Sequence, residues 1–114
     1  MDADRALQLL SADQQATAAR REQLQRDLRD IVAAASDVAT DDEHDPEGAT
    51  IAYERSRTQA LIKQADDHLA EIEHARARIT AGTYGACEVC GRPIAAERLE
   101  ARPVVRTCIA CASR

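Results

Sequence analysis

Apolar residues recur along the first eighty positions at alternating steps of three and four. From Leu7 these steps reach Leu10, Gln14, Thr17, Arg21, Leu24, Leu28, Ile31, Ala35 and Val38; from Ile51 they reach Arg55, Thr58, Ile62, Ala65, Leu69, Ile72, Arg76 and Ile79. This is the a/d register of a coiled coil with polar positions inside each seam. It predicts two helices, over 4–40 and 46–81, and at a rise of about 1.5 Å per residue each is on the order of 50 Å long. If the chain folds back near residue 45, the seams meet antiparallel. Val38 then pairs with Ile51, Ile31 with Thr58, Leu28 with Ile62, Leu24 with Ala65 and Leu10 with Ile79. Arg21, opposite Leu69, is expected to snorkel to the edge of the seam. The same seams could also join two chains; the intramolecular hairpin, and with it a monomer, is the reading the matched registers favour.

The break between the helices is acidic. Asp37, Asp41, Asp42, Glu43, Asp45 and Glu47 fall within eleven residues that hold no Lys or Arg, so much of the chain's net charge of -5 gathers there. Asp45, Pro46 and Glu47 read as N-cap, N1 and N2 of the second helix, where a carboxylate and a proline both suit the unpaired N–H groups and the dipole. Capping does not account for Asp41, Asp42 or Glu43, and like charges crowded on a solvated tip repel one another. The acids of this tip, at about 41–48, are therefore candidates to present charge to a partner: Asp41, Asp42, Glu43, Asp45 and Glu47. A merely solvated loop is the alternative. The second helix is expected to stop at Gly82 as its C′ residue, with Arg76 and Arg78 suited to its carboxyl end.

Composition changes the picture beyond residue 82. The chain has no Phe or Trp and only Tyr53 and Tyr84, so it lacks the side chains that usually fill a globular interior. Its cysteines, by contrast, form two CxxC pairs, Cys87 with Cys90 and Cys108 with Cys111, separated by seventeen residues. That spacing suits four thiolates closing a tetrahedron around one Zn²⁺, and a closed Cys₄ set is structural because it leaves no position for water or substrate. Disulfides or a redox CxxC are the other readings. The acidic N-terminus has no basic, then apolar, leader pattern, and no strand pattern precedes Cys87. A cytoplasmic chain is therefore expected, and with no apolar run near the ~20 residues of a membrane span, no membrane association. The organisation predicted is mainly α: a long antiparallel coiled-coil hairpin over 1–82 joined to a small Cys₄ zinc module over 83–114.

Little else carries chemistry. His44, His68 and His74 have no neighbouring nucleophile or metal set in the sequence and read as exposed side chains, and no serine lies in a nucleophile motif. No enzyme activity is expected. The acidic balance and the lack of stacking aromatics also oppose sequence-specific DNA binding. Five Arg stand against three Glu in residues 84–114, and four thiolates on Zn²⁺ subtract two charges, so the module is nearly neutral.

Tyr84, Gly85, Cys87, Cys90, Gly91, Ile94, Arg98, Leu99, Pro103, Cys108 and Cys111 resemble, in order and spacing, the zinc-finger pattern of the DksA/TraR family. The resemblance implies a bacterial transcription regulator that binds RNA polymerase directly, inserts its coiled coil into the secondary channel and brings the acidic tip near the active centre, without contacting promoter DNA. It also implies a tip of the form Asp-x-x-Asp-x-Ala. Laid on 45–50, that pattern keeps Asp45, with Gly48 in place of the second Asp and Thr50 in place of the Ala; laid on 42–47, it keeps Asp42 and Asp45 but ends on Glu47. Two other functions are compatible with the residues alone: a zinc-stabilised coiled-coil adaptor for another protein, and a thiol sensor that releases zinc on oxidation.

Overall fold

The computed structural model describes residues 1–36 and 46–113. Four helices follow in order: α1 (Ala3–Ser36), α2 (Pro46–Ala81), α3 (Ala96–Ala101) and α4 (Ile109–Ala112). The fold is the predicted antiparallel coiled-coil pair followed by a four-cysteine module. Val38 and the tip residues Asp37, Asp41, Asp42, Glu43 and Asp45 lie outside the described residues; Glu47 is exposed in the first turn of α2. No described helix is long and apolar enough to cross a membrane.

The helix ends follow from local chemistry. Asp2 caps α1, its Oδ1 accepting the Arg5 N–H at 2.7 Å. Pro46 opens α2, where its missing N–H costs nothing. At the other end Gly82 adopts φ 76°, its N–H bonds to the Ile79 carbonyl at 3.1 Å, and the Thr83 N–H bonds to the Arg78 carbonyl at 2.9 Å. Those two bonds are a Schellman motif with glycine at C′, as the sequence predicts.

The chain divides into two compact units, Met1–Ala16 with His68–Arg114, and Thr17–Asp67. Within Thr17–Asp67, the seam residues Thr17, Arg21, Leu24, Leu28, Ile31, Ala35, Ile51 and Ile62 are partly withdrawn from solvent, and Thr58 and Ala65 are buried. Arg55 departs from the seam and is exposed, its long stem letting the charge reach water. Arg21 behaves as a seam arginine must: it leaves the interface sideways and pairs with Asp66 of α2.

In the other unit, Leu10 and Ile72 are fully buried with Ala75, and Leu69, Ile79, Tyr84 and Val104 pack against them. The register of α1 differs here from the counted heptads. Ala6 is fully buried while Leu7, taken from the pattern as the first seam position, is 37% exposed. Ala6 and Leu10 lie four apart on one helix face. The cause is a third surface: Tyr84 and Val104 join the core, so the buried face of α1 is not set by α2 alone. The polar seam positions pair across the interface, Arg76 donating to Gln14 at 2.6 Å. Nor is His68 a free surface side chain, since its Nε2 lies 2.8 Å from Asp13 Oδ2.

Leu10→Ala should therefore destabilise the chain by roughly 2–5 kcal/mol through lost burial and the cavity left behind, whereas Leu7→Ala should change stability by no more than about 0.5 kcal/mol. Urea unfolding of the two variants measures this; equal losses would restore the heptad register.

Candidate metal centre

The module after Gly82 is assembled from turns. Ala86 and Pro93 form an isolated antiparallel bridge, the Cys87 N–H bonds to the Arg92 carbonyl at 2.8 Å, and the Ile94 N–H bonds to the Gly85 carbonyl at 2.7 Å. Between those rungs the chain reverses, with the Gly91 N–H on the Cys87 carbonyl at 2.9 Å and Gly91 at φ 77°. A residue with a Cβ is strained there, which explains glycine immediately after the second cysteine of the pair. The second pair sits at α4, where Cys108 precedes the helix and the Cys111 N–H bonds to the Cys108 carbonyl at 3.1 Å. The Glu88 N–H bonds to the Arg106 carbonyl at 2.8 Å and so ties the two cysteine-bearing segments together.

These turns bring the sulfurs of Cys87, Cys90, Cys108 and Cys111 within 4.8 Å of one another. The Sγ atoms of Cys90 and Cys108 are 3.7 Å apart, close to the edge of about 3.8 Å that a tetrahedron of metal–sulfur bonds near 2.3 Å requires. Left to themselves, four thiols this close cannot all ionise. Hydrogen bonding from the Cys90 backbone draws the Cys87 thiol down to about 6, while hydrogen bonding with Cys108 pushes Cys111 up to about 12. A divalent cation among them reverses the second effect, since a coordinating thiol is deprotonated outright. Soft thiolates in this closed arrangement suit one structural Zn²⁺.

Around the sulfurs, Cys87, Ile94 and Leu99 form a small core with Val105, Cys108 and Cys111 packed against it. Tyr84 belongs both to this core and to the one built on Leu10 and Ile72. Its hydroxyl donates to the Pro103 carbonyl at 2.8 Å, and burial pushes its phenol above the usual range. Arg98 of α3 donates to the Thr107 carbonyl at 3.0 Å, steadying the approach to the second cysteine pair.

Charged side chains complete the attachment of the module to the helices. Arg106 forks onto Glu71 of α2 at 2.8 and 2.9 Å, His74 Nε2 lies 2.6 Å from Glu88, and Arg5 of α1 pairs with Glu100 of α3. The His74 hydrogen bond, then the nearby Arg78, His74 and Arg106 charges, hold the Glu88 carboxyl below its ordinary value. Sequence reading missed this network and took His74 for an exposed side chain. Glu88 lies inside a CxxC pair and Arg106 two residues before another, a proximity to the ligands that marks both as worth attention. Their partners on α2 could not be read from spacing.

Residues 82–114 match the family model described as the prokaryotic dksA/traR C4-type zinc finger. An uncharacterized protein, YteA, of Bacillus subtilis (strain 168) is 47% identical over 66 residues, 58% of this chain and 28% of that protein. An uncharacterized protein of Aquifex aeolicus (strain VF5) is 50% identical over 44 residues, 39% of this chain and 30% of its own length. The chain thus spans less than a third of these two relatives. The solved structure of transcription factor DksA2 from Pseudomonas aeruginosa superposes with a TM-score of 0.80 at 28% identity, over 97% of this chain and 80% of that one.

The purified chain should hold one zinc per molecule by elemental analysis. Cys87→Ser, which removes the buried sulfur, should lose the metal and the dispersed amide resonances of residues 83–113, because a module this small depends on its metal to fold. A Cys87→Ser chain that kept a full equivalent of zinc would rule out the four-thiolate site. The sulfur geometry, the match of residues 82–114 to the dksA/traR C4-type zinc-finger model and the structural likeness agree: the C-terminal module is similar to that finger, and the chain shares the fold of DksA2.

Proposed function

We propose that this chain is a non-enzymatic bacterial transcription regulator of the cytoplasm that acts as a monomer by binding RNA polymerase directly. The observation that carries this reading is the likeness to the transcription factor DksA2 over 97% of the chain, helices and finger together. In this reading Cys87, Cys90, Cys108 and Cys111 hold one structural Zn²⁺, and the paired helices α1 and α2 are the element that enters the polymerase secondary channel. The non-enzymatic part of the reading follows from the same likeness, which is to a transcription factor.

The tip acids Asp41, Asp42, Glu43, Asp45 and Glu47 are assigned the contact near the active centre. Carboxylates delivered there act through charge and hydrogen bonding on the bound Mg²⁺ or on the moving elements around it. Promoter DNA is not a partner: a chain with a net charge of -5 gains little from phosphate contact.

Zinc-loaded chain immobilised on a support should retain purified RNA polymerase core, and a protein known to occupy the secondary channel should compete it off. Asp45→Asn should leave retention within about twofold while lowering the regulatory effect on transcription in vitro by on the order of tenfold, as expected for a charge felt at the active centre. Failure to retain polymerase would remove the proposal. Equal loss of binding and of effect in the variant would remove the role of the tip.

A further inference from the structure

Glu88 stands between Cys87 and Cys90, in the turn that supplies two of the four sulfurs, and its carboxylate meets one histidine and two arginines. Oε1 lies 2.6 Å from His74 Nε2 and 3.6 Å from Arg78 Nε, both on α2, and Oε2 lies 3.8 Å from Arg106 Nη1. Arg106, two residues before Cys108, forks at the same time onto Glu71 of α2. Arg78 also donates to the carbonyls of Thr83 and Ala86, the latter directly before Cys87. Both ligand-bearing segments therefore contribute to one charged cluster whose other half is the last three turns of α2.

We propose that this cluster couples zinc loading of the finger to the order of the carboxyl end of α2, with Glu88 as the residue that transmits it. Closing four sulfurs around the metal fixes the backbone on both sides of Glu88 and of Arg106, and their mutual N–H to carbonyl bond of 2.8 Å holds the two in register. The carboxylate is then delivered to His74 and Arg78. When the turn is not ordered, Arg78, whose side chain is only 12% exposed, loses the Glu88 carboxylate and the Ala86 carbonyl together. A mostly buried cation cannot stay in place without them. The apolar contact of Tyr84 and Val104 with Leu10 and Ile72 also docks the finger, but such contacts are non-directional. The forked and charge-assisted bonds of Glu88 and Arg106 set the alignment.

Native hydrogen exchange followed by NMR separates this coupling from simple burial. Chelating zinc from the wild-type chain should lower protection of amides 76–81 at the end of α2. Glu88→Gln should keep one zinc per chain, and an unchanged Co²⁺-thiolate absorption after metal exchange, yet lower the same protection by on the order of tenfold, as removal of a charge-assisted bond does. His74→Ala lies outside the metal turn and raises intrinsic helix propensity, so reduced protection in that variant can come only from the lost contact. It decides the matter if Glu88→Gln loses metal. Protection of 76–81 unchanged in zinc-loaded His74→Ala and in any zinc-loaded Glu88→Gln, or unchanged on chelation of the wild type, overturns the proposal.

Discussion

Four sulfurs held within 4.8 Å of one another are the condition on which the C-terminal third of this chain rests. Among the described residues beyond 82, only Cys87, Ile94 and Leu99 are buried, and one of those three is itself a ligand. Three side chains bury too little apolar surface to offset the conformational entropy of thirty ordered residues. The metal supplies what the core cannot, and the turns around it follow: a positive-φ glycine after Cys90, a bridge between Ala86 and Pro93, and a short helix begun at Cys108.

Tyr84 turns that local constraint into a larger one. As the one aromatic shared by the finger core and the core of Leu10, Ile72 and Ala75, it makes the start of α1, the end of α2 and the finger parts of a single compact unit. Its hydroxyl, satisfied by the Pro103 carbonyl, lets a polar atom sit inside that junction without the penalty of an unpaired donor. The polar pairs Arg106–Glu71, His74–Glu88 and Arg5–Glu100 join the same finger to the two long helices. Each is partly exposed and worth little by itself. Their shared value is directional: they select one docking of the finger among those that apolar contact alone would allow.

Features written in local spacing were legible in the sequence. Three-and-four periodicity placed both long helices, Pro46 and Gly82 marked the limits of α2, and the two CxxC pairs named the metal ligands and the metal. What escaped was whatever depends on a third surface. Heptad counting assumes that each helix answers only to its partner, so it placed Leu7 in the seam, whereas Ala6 is the residue buried there and the core around Leu10 also takes in Tyr84 and Val104 from beyond the helices. His74 looked like a solvated side chain because its partner, Glu88, is fourteen residues away and reaches it only after the finger folds back on α2. Arg21 was legible in part: its snorkelling follows from a charge in an apolar seam, but the choice of Asp66 as partner is a matter of packing.

The proposed task of the two long helices lies outside the chain: they deliver the acidic segment between them to the active centre of RNA polymerase. A photo-reactive residue placed at Glu43 of the zinc-loaded chain, followed by cross-linking to polymerase core and mapping of the attachment points, tests that assignment directly. Cross-links confined to polymerase segments that line the secondary channel beside the catalytic Mg²⁺ are the predicted result. Cross-links to the outer surface of the enzyme, or none under conditions where the two proteins bind, would contradict it.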